Sequence, residues 1–435
     1  MPWAWAHMAY SGFVDLSHIP EEDELVALFY VEPAEGISVE EAAARVASES
    51  SNGTWTDLPT MSERIRKLSA KVFKIDGRWF LVSYPVELFE LGNMPQIWSS
   101  IAGNIFGMKA VSRLRLEDVF WPKDIVRSFK GPKFGLNGVK NIMKVEKRPI
   151  LATVPKPKVG MTSEEQAEAA YEIWCGGVDL LKDDENLTSQ SFNRFEKRIR
   201  LMMEMRRKAE KETGEKKSYL VNITAPYEEM KRRLRLVADY GNEFVMVDIL
   251  TAGWSALQSI RDLAEENGLA IHAHRAFHAA FDRIREHGVS MKVVAESARL
   301  IGVDNIHIGT VVGKLESPLE EVMSLIRIIR DEKVEENWDM KLLRKDWLDI
   351  KPVMPVSSGG LHPGLIPEIM RIFGGDVIIQ AGGGVLGHPD GPKAGAKALR
   401  QAMEAVLEGV DLEEYAKKHQ ELRRALEKWG YMKPV

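Results

Sequence analysis

Beyond about residue 150 the chain alternates short apolar runs with longer amphipathic stretches. Leu151–Pro155, Val178–Leu181, Tyr219–Ile223, Phe244–Leu250, Leu269–His274, Asn305–Thr310, Lys351–Val356 and Asp376–Gln380 have the length and composition of strands. Between them, segments such as Tyr227–Tyr240 and Leu319–Asp331 repeat their apolar residues at helical spacing. Eight such βα units predict a closed (β/α)8 TIM barrel, with an open doubly wound sheet as the alternative. The first 130 residues read differently, as an α+β unit. Leu25–Val31 is a strand, and Ser38-Val39-Glu40-Glu41 is a capping box opening a helix through Ala42–Ala44. Lys71–Ile75 and Arg78–Tyr84 flank the hairpin signal Asp76-Gly77. A helix around Pro95–Ala102 and a strand near Ala110–Leu116 complete the order β-α-β-β-α-β, which is ferredoxin-like. The turn-rich Lys130-Gly131-Pro132-Lys133-Phe134-Gly135 serves as a linker. The expected division is therefore an N-terminal domain over 1–130 and a barrel over 131–435, ending in a charged helical tail at Leu412–Lys428.

Composition narrows the function classes. Of 435 residues, 45% are hydrophobic and 28% charged, an ordinary globular balance, and the net charge of −5 gives no polyanion-binding surface. No nucleic-acid partner is expected. The single cysteine, Cys175, excludes an intrachain disulfide or a cysteine cluster for zinc and fits a reducing cytoplasm, where the bland reading is a packed thiol. Met1-Pro2-Trp3-Ala4-Trp5 lacks the basic start and apolar core of a signal peptide, and no apolar run reaches the ~20 residues a membrane span needs.

The chemistry-bearing residues gather just past the expected strand ends, where barrel active sites form. After strand one come Lys156 and Lys158, two apart and so on one face. After strand two, Lys182-Asp183-Asp184-Glu185-Asn186 sets two carboxylates, Asp184 and Glu185, beside a lysine. Carboxylates suit a hard cation such as Mg²⁺. The lysine fits too if burial lowers its pKa and its amine combines with CO2 as a carbamate, adding an anionic oxygen. A solvated loop of internal salt bridges is the plain alternative. Strand five ends in His272-Ala273-His274-Arg275-Ala276-Phe277-His278; His-X-His raises a zinc site, while Arg275 argues for an anion. Strand six supplies His307 and then a glycine-flanked loop lysine, Lys314, able to close over a ligand or simply to lie exposed. Strands seven and eight end in Ser357-Ser358-Gly359-Gly360 and Gln380-Ala381-Gly382-Gly383-Gly384, glycine runs at the usual phosphate site of barrels. A Mg²⁺-type site between two anion sites points to a small sugar bisphosphate and to proton abstraction through an enediolate.

The same segments resemble the large subunit of ribulose bisphosphate carboxylase (RuBisCO), and look most like its archaeal, form III branch. Gly176-Gly177-Val178-Asp179-Leu180-Leu181-Lys182-Asp183-Asp184-Glu185-Asn186 resembles the carbamylated-lysine signature. Gly309-Thr310-Val311-Val312-Gly313-Lys314-Leu315-Glu316, Leu386-Gly387-His388-Pro389, Glu49-Ser50-Ser51-Asn52-Gly53-Thr54-Trp55 and Gly103-Asn104-Ile105-Phe106-Gly107 match as well. The resemblance implies a carbamate on Lys182, formed by an activator CO2, that joins Asp184 and Glu185 around Mg²⁺ and takes the C3 proton of ribulose 1,5-bisphosphate. It implies Lys156 as proton shuttle to C2, His274 as a further acid/base, and Lys314 as the loop cation that meets the incoming carboxylate. Arg275, His307 and Ser358 would hold one phosphate. Gly360, Gly382 and Gly383 would bind the other end with Lys158 nearby, Gly359 and Gln380 also counting as substrate positions. Glu49, Thr54, Trp55 and Asn104 would reach a partner subunit's barrel, making a homodimer the smallest active unit, with rings of dimers above it and no small subunit. Carboxylation, an oxygenase side reaction and AMP salvage are the implied roles.

The chain departs from the family's common pattern at Leu180-Leu181 and at Ile308, positions that bear on CO2/O2 selectivity and turnover rather than on reaction type. Three rival readings remain. A RuBisCO-like enolase or isomerase of sulfur salvage would lose carboxylation residues, whereas Lys156, Lys314, Asn104 and Thr54 are present. A dinuclear amidohydrolase carries its histidines on the first strand, the reverse of the order here. A non-catalytic sugar-phosphate-binding or scaffold protein predicts a broken constellation.

Overall fold

The computed structural model describes residues 10–56, 58–313 and 317–431, so the N-terminal Met1-Pro2-Trp3-Ala4-Trp5 and Lys314 lie outside the described residues. The chain forms two compact units. One comprises the residues up to Gly131 together with Phe277–Ile301 and Asp331–Ile350. Its sheet contains β1 (Leu25–Pro33), β2 (Lys71–Asp76), β3 (Trp79–Tyr84) and β4 (Val111–Phe120). β1 pairs antiparallel with both β3 and β4, and β2 with β3, giving the ferredoxin-like order β4-β1-β3-β2. The short strand Gly288–Val289 adds to β4 in parallel. Ser38 caps the helix Val39–Glu49 by accepting from the Glu41 N–H, while the Glu41 carboxylate meets Arg45 at 2.5 Å. The β2–β3 turn falls one residue later than its sequence signal: Asp76 still pairs with Trp79, leaving Gly77 and Arg78 as the loop, with Gly77 at φ +61°.

The helix Met291–Ile301 is buried along its whole length in this unit, its polar residues included. Lys345 Nζ lies 2.7 Å from Asp118 Oδ2 and 3.2 Å from Glu296 Oε1, and Trp121 Nε1 donates to Glu296 Oε2 at 2.9 Å. Burial, reinforced by the Asp118 carboxylate, pushes Glu296 well above the ordinary value of 4.5. Above that value the native state holds a proton the unfolded chain has released, so stability falls as pH rises, by up to about 1.4 kcal/mol per pH unit. Thermal midpoints taken from about pH 5 to 9 are expected to fall less steeply in Glu296→Gln than in the parent. Equal slopes would mean that Glu296 is ionised in the native state.

The second unit, Pro132–Ala276, Gly302–Arg330 and Lys351–Val435, is the barrel. Its strands are β5 (Ile150–Thr153), β6 (Leu180–Lys182), β7 (Ser218–Asn222), β8 (Phe244–Asp248), β9 (Ala270–His274), β10 (Asn305–His307), β11 (Met354–Ser358) and β12 (Ile378–Gln380). All eight are parallel and close in sequence order, β12 pairing with β5. β8 ends at Asp248 because Ile249–Ala252 turns into a short helix. The tail divides into helices Leu412–Ala416 and Gln420–Trp429. The second is anchored by the Glu421 carboxylate, which accepts from Lys397 at 2.7 Å and Gln401 at 2.9 Å. Cys175 ends the helix Ser163–Cys175, half-buried.

Alternation along the strands separates packing from chemistry. Ile150, Ala152, Leu180, Leu220, Phe244, Met246, Ala270, Met354, Val356 and Ile378 form one apolar cluster with Leu136, Val139 and Met143 from the helix Gly135–Met143. Two residues further along the same alternation stand Lys182, Asn222, Asp248, His272, Ser358 and Gln380, with His274 two beyond His272. On six of the eight strands the face that packs the core therefore ends in a polar side chain.

Candidate active site

β6 ends on Lys182, whose side chain is 1% exposed. Its Nζ donates to the Asp183 carbonyl at 2.8 Å and lies 3.7 Å from Glu185 Oε2. Burial pulls this amine below its ordinary value, although Glu185, Asp248, Asp184 and Asp183 oppose the shift. A lysine in that condition presents a free lone pair more often than an exposed one does, which is the requirement for reaction with CO2. Asp184 is 2% exposed and pairs with Lys156 Nζ at 2.9 Å; Glu185 pairs with Lys158 Nζ at 3.2 Å. The structure therefore brings Lys156, Lys158, Lys182, Asp184 and Glu185 together, as the sequence spacing indicates.

Asp183 points the other way, as alternation requires. Its carboxylate accepts from Tyr219 Oη, from Gln166 Nε2 at 3.0 Å, from Arg198 Nη2 at 3.3 Å and from the Asn222 N–H at 3.0 Å. This buried anchor fixes the loop that carries Asp184 and Glu185.

Asp248 is a site residue that the sequence pattern missed. Its Oδ1 is 2.8 Å from His274 Nδ1, to which the Ala276 N–H also points at 3.2 Å, while His274 Nε2 is 3.7 Å from Glu185 Oε2. Burial pushes Asp248 up to about 7, with Lys182 opposing and Glu185 and Asp184 reinforcing. Burial, then Lys182, keeps His274 well below its ordinary value. A neutral imidazole and a carboxyl poised near neutrality share a proton between them. The available signal was an aspartate closing an otherwise apolar run, Phe244-Val245-Met246-Val247-Asp248.

His272 does not make the zinc pair that His-X-His raised. Its Nε2 lies 2.9 Å from His307 Nε2 and its Nδ1 bonds Asn305 Oδ1. His307 Nδ1 in turn meets Ser358 Oγ at 2.8 Å. Arg275 passes close to Gly309, where φ is +90° and an added Cβ would stand 3.0 Å from the guanidinium. At β12 the Gln380 Oε1 is buried with no hydrogen-bond partner, an acceptor left over for a ligand. Gly359 and Gly360 both adopt positive φ, and Gly382 lets the Lys156 side chain come within 3.2 Å of where a Cβ would be.

In the first unit, Asn104 Nδ2 donates to Glu49 Oε1 at 3.4 Å. Glu49, Asn104 and Trp55 are exposed there, Trp55 by 78%, and Thr54 is half-buried.

Among the described residues no three His, Cys, Asp or Glu side chains converge as a metal set. Asp184 and Glu185 offer two anionic donors, and lysine ammonium groups now sit on both. A hard divalent cation fits this donor set once Lys182 contributes an oxygen in place of its positive charge.

A closed barrel with cations, carboxylates and neutral imidazoles at the carboxyl ends of its strands is an enzyme scaffold with an anionic substrate site. The family description “Ribulose bisphosphate carboxylase large chain, catalytic domain” matches residues 135–429, and the corresponding N-terminal domain description matches residues 12–125. Proteins named ribulose bisphosphate carboxylase from Pyrococcus abyssi and Archaeoglobus fulgidus are 54% and 52% identical, over 98% of this chain and 98% and 99% of their own lengths. A solved dimeric archaeal Rubisco from Hyperthermus butylicus superposes with a TM-score of 0.93 at 55% identity, covering 98% of this chain and 100% of that one. The octameric enzyme from Pyrococcus horikoshii OT3, solved with sulfate ion, gives 0.90 at 52% identity, covering 98% of each chain. The chain belongs to the ribulose bisphosphate carboxylase large-chain family and is an enzyme of its archaeal branch.

Proposed function

We propose that the enzyme adds CO2 and water to D-ribulose 1,5-bisphosphate, giving two molecules of 3-phosphoglycerate, with oxygenation as a side reaction. The observation that carries this reading is the buried Lys182, its pKa lowered by burial, 3.7 Å from Glu185 and within the field of Asp184. When bound, CO2 on Lys182 supplies a third anionic oxygen, and Mg²⁺ held there with Asp184 and Glu185 supplies a Lewis acid for the sugar oxygens.

The chain's own groups divide the remaining work. Lys156, beside Asp184, returns the proton to C2 at the end of the reaction. His274, oriented by Asp248, moves protons at the sugar hydroxyls during enolisation and hydration. Arg275 and Ser358 bind one phosphate, with His307 behind Ser358, its two ring nitrogens held by Ser358 and His272; Gly360, Gly382 and Gly383 bind the other end with Lys158, Gly359 and Gln380. Lys314 closes with its loop and meets the new carboxylate. Glu49, Thr54, Trp55 and Asn104 complete the site of a second copy, so the working unit is a homodimer, in rings of dimers and without a small subunit. The Hyperthermus butylicus relative is described as dimeric and the Pyrococcus horikoshii relative as octameric, in keeping with an assembly of this kind. A cytoplasmic role in AMP salvage accords with the archaeal branch.

The deciding experiment preincubates purified protein with bicarbonate and Mg²⁺, then adds ribulose 1,5-bisphosphate and radiolabelled bicarbonate without oxygen. Acid-stable label in 3-phosphoglycerate, dependent on the preincubation, is expected. No label from a protein that still exchanges the C3 proton would move the reading to the sulfur-salvage enolase or isomerase.

A further inference from the structure

A hydrogen-bonded chain runs from the mouth of the barrel into its interior: Ser358 Oγ to His307 Nδ1, 2.8 Å; His307 Nε2 to His272 Nε2, 2.9 Å; His272 Nδ1 to Asn305 Oδ1. His272 and Asn305 are fully buried and His307 is 3% exposed. We propose that Asn305 and His272 are positioning residues that decide, through His307, whether the Ser358 hydroxyl points its hydrogen inward or offers it to a bound phosphate.

The argument is one of hydrogen-bond direction. Burial, before any neighbouring charge, holds both imidazoles well below the ordinary histidine value, so each is neutral, with one N–H and one lone pair. A chain of such groups has only two self-consistent directions. In the inward direction Ser358 donates to His307 Nδ1, His307 Nε2–H donates to His272 Nε2, and His272 Nδ1–H donates to the Asn305 carbonyl oxygen. The Ser358 hydrogen is then occupied, and an arriving anion meets oxygen lone pairs. In the outward direction the amide turns over and donates from Nδ2 to His272 Nδ1. The His307 Nε2 proton then passes to His272 Nε2. The His272 Nδ1 proton is released to solvent and one is taken from solvent through the Ser358 hydroxyl onto His307 Nδ1, so the proton count is unchanged. His307 Nδ1–H donates to Ser358 Oγ, and the Ser358 hydrogen is free for the anion.

Asparagine is suited to ending such a chain because its amide carries an acceptor on one side and a donor on the other. The Asn305 Nδ2 has no hydrogen-bond partner, so turning over surrenders no existing bond at that atom. A hydrogen bond to an ionised acceptor is worth roughly tenfold or more in affinity, enough for an anion to reverse the chain. The inference rests on Ser358 as a phosphate-binding residue.

The test reads tautomers directly. Protein carrying ¹⁵N-labelled histidine at its ten positions gives imidazole nitrogen spectra, with His272 and His307 assigned by comparison with His272→Gln and His307→Gln. Without an anion, His307 is expected as the Nε2–H tautomer and His272 as Nδ1–H. Saturating inorganic phosphate, or ribulose 1,5-bisphosphate without Mg²⁺ and CO2, is expected to convert both to the opposite tautomer. In Asn305→Leu, which offers neither donor nor acceptor, this exchange is expected to be lost while phosphate still binds; full exchange there would remove Asn305 from the assignment. Unchanged tautomers in phosphate-saturated parent protein, with binding that Ser358→Ala weakens, would overturn the positioning role and leave the phosphate site standing. If Ser358→Ala binds both probes as tightly as the parent does, the phosphate role of Ser358 fails, and the positioning role with it.

Discussion

Lys182→Ala is expected to abolish Mg²⁺-dependent carboxylation, lowering kcat by about 10³-fold or more, because the substitution removes the amine proposed to carry a third anionic oxygen beside Asp184 and Glu185. The fold is expected to survive. Asp184 keeps its 2.9 Å pair with Lys156 and Glu185 its 3.2 Å pair with Lys158, so neither carboxylate is left without a countercharge. The lost ammonium was itself held against a burial penalty. Radiolabel incorporation and the Mg²⁺-induced shift in thermal midpoint, measured on the same preparation, separate chemistry from folding. A Lys182→Ala protein that carboxylates at near-parental rate would overturn the carbamate assignment outright.

Asp248→Asn is expected to lower kcat by about 10²-fold with a much smaller effect on KM, the scale of one lost acid/base function. The Asp248 carboxyl, pushed up to about 7 by burial, hydrogen-bonds His274 Nδ1 at 2.8 Å. An amide has no proton to surrender: by donating from its nitrogen it fixes His274 with hydrogen on Nε2, so that the imidazole keeps its acid form and loses its base form. Exchange of the C3 proton followed alongside steady-state turnover shows where the loss falls. A kcat within twofold of the parent value would take Asp248 out of the reaction and leave it as packing.

The barrel was legible because each buried strand is a short apolar run closed by polar residues, and helices of helical period separate the runs. The limits of that signal are physical. Ile249 and Leu250 continue the apolar run of Phe244–Asp248, yet they belong to a helical turn, and a buried turn and a buried strand cannot be told apart by periodicity. That misplaced strand end is what concealed Asp248. At Lys351–Val356 the ladder starts only at Met354, because the Val353 N–H donates instead to the Ile329 carbonyl at 2.7 Å.

The lysine-and-carboxylate cluster could be read from spacing, since Lys182 and Asp184 are neighbours in sequence as well as in space. The histidine network could not. His272 and Asn305 are 33 residues apart, and only strand register brings β9 beside β10 to pair them. The interleaving of the two units was hidden for a related reason. In Met291–Ile301 the residues Lys292, Glu296, Ser297 and Arg299 are polar positions at helical spacing, the same pattern that a solvated face would have. Instead Lys292 meets Glu117 at 2.8 Å, Ser297 accepts from Trp98 Nε1 at 2.8 Å, and Arg299 donates to the carbonyls of Asp331 and Ile350. Polar residues with long-range partners look the same in a sequence as polar residues in water.

That interleaving governs how the protein can be recombined. A chimaera joined once near Gly131 would take Asp118 and Trp121 from one parent and Lys345 and Glu296 from the other, splitting a charge cluster that has no water to fall back on. Breakpoints that respect the three-dimensional units must instead carry Phe277–Ile301 and Asp331–Ile350 along with the N-terminal segment.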